Sequence, residues 1–74
     1  MEKLLELLNK IRPDLDFTVE QNLVDDNRLD SFDIITIVSE INDVFNVDIT
    51  VADLEPHNLN SMAAMWNLIL HLKK

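Results

Sequence analysis

Residues 34–45 constrain the fold most. Ile34, Ile37, Val38, Ile41, Val44 and Phe45 recur at helical spacing, and they follow a polar stretch, Asp25-Asp26-Asn27, through Arg28-Leu29-Asp30-Ser31-Phe32-Asp33. The periodicity predicts an amphipathic helix from about Ser31 to Asn46, with Asp33, Thr36, Glu40 and Asp43 turned to solvent. Its β-branched residues are weak helix formers, so it depends on a packed apolar face and on its N-terminal cap. Partner faces exist on both sides in sequence. From Glu2 to Arg12, Leu4, Leu5, Leu7, Leu8 and Ile11 form a stripe that Pro13 terminates, because proline disfavours helical geometry at the residue before it. Near the C-terminus Met62, Met65, Trp66, Ile69 and Leu72 align, with Leu68 and Leu70 widening the face. Asn60 or Ser61 is placed to cap that last helix, and Lys73 and Lys74 to complement its C-terminal dipole.

The connections are less regular. Leu15, Phe17, Val19, Leu23, Val24 and Leu29 are scattered through residues 14–29, as expected of a loop that lies across a helical core and is pinned by isolated side chains. A helical turn near Val19 to Asn22 is compatible with this stretch, and its length allows the first and second helices to run roughly parallel. Residues 47–51 alternate like a strand, but no second convincing strand is present to pair with them, which favours an extended connector. A short helix is expected around Ala52 to Glu55, with Thr50 or Asp53 as its cap, followed by single-turn or irregular structure from Glu55 to Asn60. The sum is an all-α chain forming one domain over residues 1–74: a small four-helix bundle with a long first loop and a short third helix.

Without cysteine there is neither a disulfide framework nor a thiolate metal site, and apolar packing must hold the fold. Fourteen acidic residues against six basic give a net charge of −8, which opposes binding to nucleic acid or anionic lipid and favours partners with basic surfaces. Glycine is absent too, and Asn27, shortly before Ser31, is among the few other residue types that tolerate a left-handed backbone. Asp25 to Asp30 fails the calcium-loop pattern, since Asp30 stands where the glycine is needed and no glutamate occupies the twelfth position. His57 and His71 lack metal-ligand spacing. Met1-Glu2-Lys3-Leu4 leads into a charged amphipathic stretch with no long apolar run, so a cytoplasmic monomer without membrane insertion is expected.

Ser31 stands out chemically. The first N–H groups of a helix lack partners and carry the positive end of the macrodipole, so an anion on Ser31 is stabilised by about 0.3–1 kcal/mol. Asp30 is the natural N-cap beside it. Phe32 and Ile35 lie off the centre of the core stripe next to the acidic row, where Phe32 either packs against the loop or offers a docking surface.

Asp30-Ser31-Phe32, an acid at Asp33, and a helix ending in Val44-Phe45 together resemble the Asp-Ser-Leu signature of acyl carrier proteins. With Val47-Asp48-Ile49-Thr50-Val51-Ala52-Asp53-Leu54 downstream, the pattern is most similar to D-alanyl carrier proteins, and the likeness extends from Leu4 to Leu72. The resemblance implies an acyl-carrier-like bundle with no catalytic residues of its own. It implies a 4'-phosphopantetheine group on Ser31, whose thiol holds an acyl or aminoacyl cargo such as D-alanine. The implied partners are a phosphopantetheinyl transferase and an adenylating ligase or acyltransferase with a basic docking surface, meeting Phe32, Asp33, Ile35, Glu40 and Asp43. Thr36 and Asn42 stand where many fatty-acid carriers have acids, which argues against efficient use by standard fatty-acid enzymes. On the residues alone, a non-catalytic acidic interaction module, with Ser31 merely opening a helix, remains the alternative. A serine hydrolase is least supported, since there is no glycine-rich elbow and the histidines are remote in sequence.

Overall fold

Four helices and a 3-10 turn follow one another in the computed structural model, which describes residues 2–73. They are α1 (Glu2–Ile11), α2 (Ser31–Phe45), the 3-10 turn (Val51–Asp53), α3 (Pro56–Leu59) and α4 (Met62–Leu72). The described residues contain no strand, and residues 47–50 form the extended connector expected of them. The all-α, four-helix expectation holds, with the long first loop and the single-turn third helix.

The core is built from three helix faces. Leu4, Leu7 and Leu8 of α1 meet Ile37 and Ile41 of α2 and Met65, Leu68 and Ile69 of α4. Phe17, Leu23 and Leu29 from the first loop, with Ile49 and Leu59, close the remaining sides. Burying a single aliphatic side chain contributes about 1.5–3 kcal/mol, so the loop residues are part of the stabilising structure and not an ornament on it. Two residues assigned to the core faces lie outside. Val44 is 41% exposed because it faces the shallow α1–α2 groove beside Lys3 and Lys10. Leu70 is half exposed, one residue past the buried Leu68–Ile69 pair and turned off that face.

α1 and α2 are antiparallel, against the expectation of a roughly parallel pair. Lys3 shares a groove with Val44, Lys10 approaches Glu40 at 3.7 Å, and Arg12 pairs with Asp33, so numbers fall along α2 as they rise along α1. The end of α1 is therefore already near the start of α2. The long loop does not travel the length of the bundle; it folds over one end and inserts Phe17, Leu23 and Leu29.

After the turn at residues 13–14 that leaves α1, two further turns organise that loop. Asp16 accepts from the Thr18 N–H at 3.1 Å and from its hydroxyl, while the Asp16 carbonyl accepts from Val19 and Glu20 at 3.2 Å. This turn lies earlier than the Val19–Asn22 turn the sequence suggested, and Val19 is exposed where it was expected to pin the loop. The second turn covers residues 23–27 and ends at Asn27, whose φ of 57° is the left-handed conformation expected of it. Asn46 adopts the same conformation, φ 55°, at the end of α2. A left-handed residue after the last turn is the common way to stop a helix, here achieved without glycine.

Polar side chains fasten the irregular segments and helix ends. Asn60 does not cap α4. Its Oδ1 accepts from the N–H groups of Val24 (3.0 Å) and Asp25 (3.1 Å), its Nδ2 donates to Asp25 at 3.0 Å, and its carbonyl accepts from Leu23 at 2.9 Å. Ser61 is the cap, accepting from Ala64 N–H at 3.1 Å. Asn42 holds the connector after α2, accepting from Ile49 N–H at 2.8 Å and donating to the Ile49 carbonyl at 3.4 Å. Lys73 Nζ donates to the Phe45 carbonyl at 3.2 Å, serving the open C-terminal end of α2 as well as lying near that of α4; Lys74 lies outside the described residues. The short helix expected at Ala52–Glu55 is instead the 3-10 turn, where the Asp53 carboxylate accepts from Thr50 N–H at 3.1 Å.

Candidate functional site

Asp30 sets the entrance to α2. Its backbone is extended (φ −94°, ψ 179°), its Oδ1 accepts from Asp33 N–H at 2.8 Å, and its carbonyl accepts from Ile34 N–H at 3.0 Å. Asp33 reciprocates, its Oδ2 accepting from Asp30 N–H at 3.3 Å. This is a capping box with aspartate in the place usually taken by glutamate. Ser31 is the first helical residue and is exposed. Its hydroxyl, and the N–H groups of Ser31 and Phe32, have no hydrogen-bond partner among the described residues. An accessible hydroxyl beside free N–H donors at the positive end of a fifteen-residue helix suits esterification by a phosphate group.

The expected recognition residues divide in two. Phe32 is 76% exposed and Ile35 62%, so Phe32 does not pack against the loop, and the pair forms an apolar surface on the first turns of α2. Asp43 is exposed further along, and Glu40 is partly covered by Lys10. Asp33 differs from the solvent-facing acid the periodicity suggested. Its side chain is only 14% exposed and is paired with Arg12. Thr36 donates its hydroxyl to the Phe32 carbonyl, one turn earlier on the same helix, at 2.9 Å.

Arg12 is the site residue that sequence reasoning missed. Its Nε and Nη2 donate to the two carboxylate oxygens of Asp14 at 2.9 and 2.8 Å, while Nη1 donates to the Arg28 carbonyl at 3.0 Å and to Asp33. Hydrogen bonding to Asp14, and then to Asp33, holds the guanidinium charged well above the usual arginine range. In turn Arg12 holds the Asp14 carboxyl below its usual range. The one local hint is the Arg-Pro-Asp sequence at a helix end, which reads equally well as a solvated terminus. An open cleft of about 450 Å³ between α3 and α4, lined by Asp53, His57, Asn58, Asn67 and His71 among others, includes neither Ser31 nor its neighbours.

A family model described as a phosphopantetheine attachment site matches residues 2–66, which take in Ser31 and everything from α1 to the middle of α4. No curated protein and no solved structure gives a significant match. No helix among the described residues is long and apolar enough to cross a membrane. The match spans most of the chain and coincides with a four-helix fold that leaves one helix-opening serine free. The chain therefore belongs to the phosphopantetheine-attachment family, a carrier domain that works with a phosphopantetheinyl transferase and acyl-handling enzymes and holds its cargo on covalently bound 4'-phosphopantetheine without catalysing a reaction itself.

Proposed function

We propose that Ser31 is the attachment residue and that the chain carries an activated amino acid, with D-alanine the first candidate, loaded by an adenylating ligase in the cytoplasm. The observation that carries the reading is the exposed Ser31 hydroxyl at the start of α2, inside the capping box of Asp30 and Asp33. A transferase brings coenzyme A to this hydroxyl. The Ser31 oxygen bonds to the phosphorus that bears pantetheine as the diphosphate bond of coenzyme A breaks; adenosine 3',5'-bisphosphate leaves and a base on the transferase takes the hydroxyl proton. The thiol of the attached group then holds the cargo as a thioester.

The chain's own part is recognition and presentation. Phe32 and Ile35 supply apolar contact, and Asp43 with Glu40 supplies charge complementary to a basic partner. The neutral residues Thr36 and Asn42 support a partner set different from that of fatty-acid synthesis. Both are engaged internally, Thr36 with Phe32 and Asn42 with Ile49.

Intact mass after incubation with coenzyme A and a broad-specificity transferase tests the attachment site. The parent gains one phosphopantetheine and Ser31→Ala gains none. A folded parent that stays unmodified beside a labelled control carrier refutes the assignment, as does labelling of Ser31→Ala. Loaded material presented to amino-acid and fatty-acyl ligases then tests the cargo: aminoacylation supports the proposal and exclusive fatty acylation overturns it.

A further inference from the structure

Asn60 fastens the loop before Ser31 at Val24 and Asp25, and a second side chain from outside the loop, Arg12, reaches its end next to α2. Leu29 is buried, and the N–H groups of Arg28 and Leu29 both donate to the Leu23 carbonyl, at 2.8 and 3.1 Å. These contacts hold the loop to itself and to the core. Neither ties it to the first turn of α2. Arg12 does, because Nη1 reaches the Arg28 carbonyl three residues before Ser31 and the Asp33 carboxylate two residues after it. The other edge of the guanidinium is fixed by both oxygens of Asp14, so the fork is oriented before it meets the loop. Arg12 and Asp33 side chains are 27% and 14% exposed, a covered pair that salt screens less than an open surface pair. Ser31 itself stays exposed between the two anchored points.

We infer that Arg12 is a positioning residue for modification of Ser31: it staples the preceding loop to the α2 capping box so that the serine meets the transferase already in place. The inference rests on the reading of Ser31 as the attachment residue. It also assigns Asp33 to the carrier's own framework, since its carboxylate already accepts from Arg12 and from Asp30 N–H. A partner's basic surface therefore finds its charge at Asp43 and Glu40.

The consequence is a KM effect. With the staple cut, only part of the population presents the loop in the competent arrangement, and apparent affinity falls by that fraction while the step on the bound complex is unchanged. The test is steady-state transfer from coenzyme A to the parent, Arg12→Gln, Arg12→Lys and Lys3→Gln, at a temperature where circular dichroism shows each folded. Lys3→Gln makes the same charge change on α1 away from the loop. Arg12→Gln is expected to raise KM about five- to tenfold with kcat unchanged, the size expected if the competent fraction drops to roughly a tenth or a fifth. Arg12→Lys recovers part of the loss, since an ammonium cannot span Asp14, the Arg28 carbonyl and Asp33 together. Lys3→Gln behaves as the parent. Amide exchange quickens at Leu29, Asp30 and Asp33 in Arg12→Gln while Met65 and Ile69 keep their protection.

An unchanged KM in folded Arg12→Gln overturns the inference, as does an equal effect from Lys3→Gln or exchange that quickens uniformly. Should Arg12→Gln fail to fold, Arg12→Lys carries the same comparison at smaller amplitude. If the parent is not modified at all, the reading of Ser31 fails, and the exchange measurement still decides whether Arg12 holds the loop.

Discussion

Two left-handed residues in a chain without glycine make a quantitative test of how the backbone is stabilised. Asn27 and Asn46 sit at φ 57° and 55°, and neither side chain has a hydrogen-bond partner among the described residues. Their contribution is therefore conformational. An ordinary L-residue in this region costs roughly 1–2 kcal/mol, and asparagine is among the few side chains that occupy it at a lower cost. Asn46→Ala is accordingly expected to lose about 1 kcal/mol, a fall of about 4–8 °C in Tm for a domain of this size. Asn46→Gly removes the strain but adds about 0.4–1 kcal/mol of unfolded-state freedom, so it should lie close to the parent. Asn27 has the same local geometry but a different position, because its turn delivers the Arg28 and Leu29 N–H groups to the Leu23 carbonyl. Asn27→Ala should match Asn46→Ala in stability loss and, alone of the two, slow modification of Ser31. Urea unfolding by linear extrapolation, with m held common, gives the first comparison and transferase kinetics the second. Alanine variants as stable as the parent would refute the conformational argument. Equal modification rates for folded Asn27→Ala and Asn46→Ala would refute the link between the Asn27 turn and the site.

Other outcomes follow from the packing and the polar contacts. Ile41 is fully buried where α2 meets the core, and Ile41→Ala should cost about 2–5 kcal/mol, measurable as a large drop in the urea midpoint. Asn42→Asp keeps the acceptor for Ile49 N–H but sets a carboxylate against the Ile49 carbonyl; a loss of about 1–3 kcal/mol is expected, and a variant as stable as the parent would show that the amide donor is dispensable. Asp14 and Asp16 are both held below their ordinary value of 3.8, Asp14 by Arg12 first and Asp16 by the Thr18 hydroxyl first. Their unfolded forms bind protons more readily than their folded forms, so the stability they contribute is present above that value and is lost as pH falls through the depressed ones. Unfolding curves taken at successive pH values should therefore show a weaker loss below pH 3.8 in Asp14→Asn than in the parent.

What could be read before the structure, and what could not, divides along a physical line. The faces of α1, α2 and α4 were legible because residues three and four apart share one side of a helix, so burial leaves a local trace in the sequence. Ser31 was legible for a related reason, since capping by Asp30 and the change from loop to helical period occur within a few residues. Asn27 could be anticipated from the resemblance, which puts a glycine shortly before the serine, because asparagine is one of the few other side chains that accept that backbone conformation. The polar fastenings carry no such trace. Asn60 reaches Val24 across 36 residues and Arg12 reaches Asp33 across 21, and each residue, taken alone, reads as an ordinary cap or a solvated charge. The direction of α1 relative to α2 is hidden for a related reason: loop length by itself suggests a distance to be travelled, and hence a parallel pair. In the structure that length serves to carry Phe17, Leu23 and Leu29 into the core. Periodicity thus reports which helical surfaces are buried, while the placement of the segments between helices depends on a few long-range polar contacts. Ser31 lies where the two meet: its helix is specified locally, but the loop that delivers it is held by Arg12 and Asn60 from opposite ends of the chain. Substitutions at those two positions should consequently disturb the presentation of the serine even though both leave the apolar pattern of every helix intact.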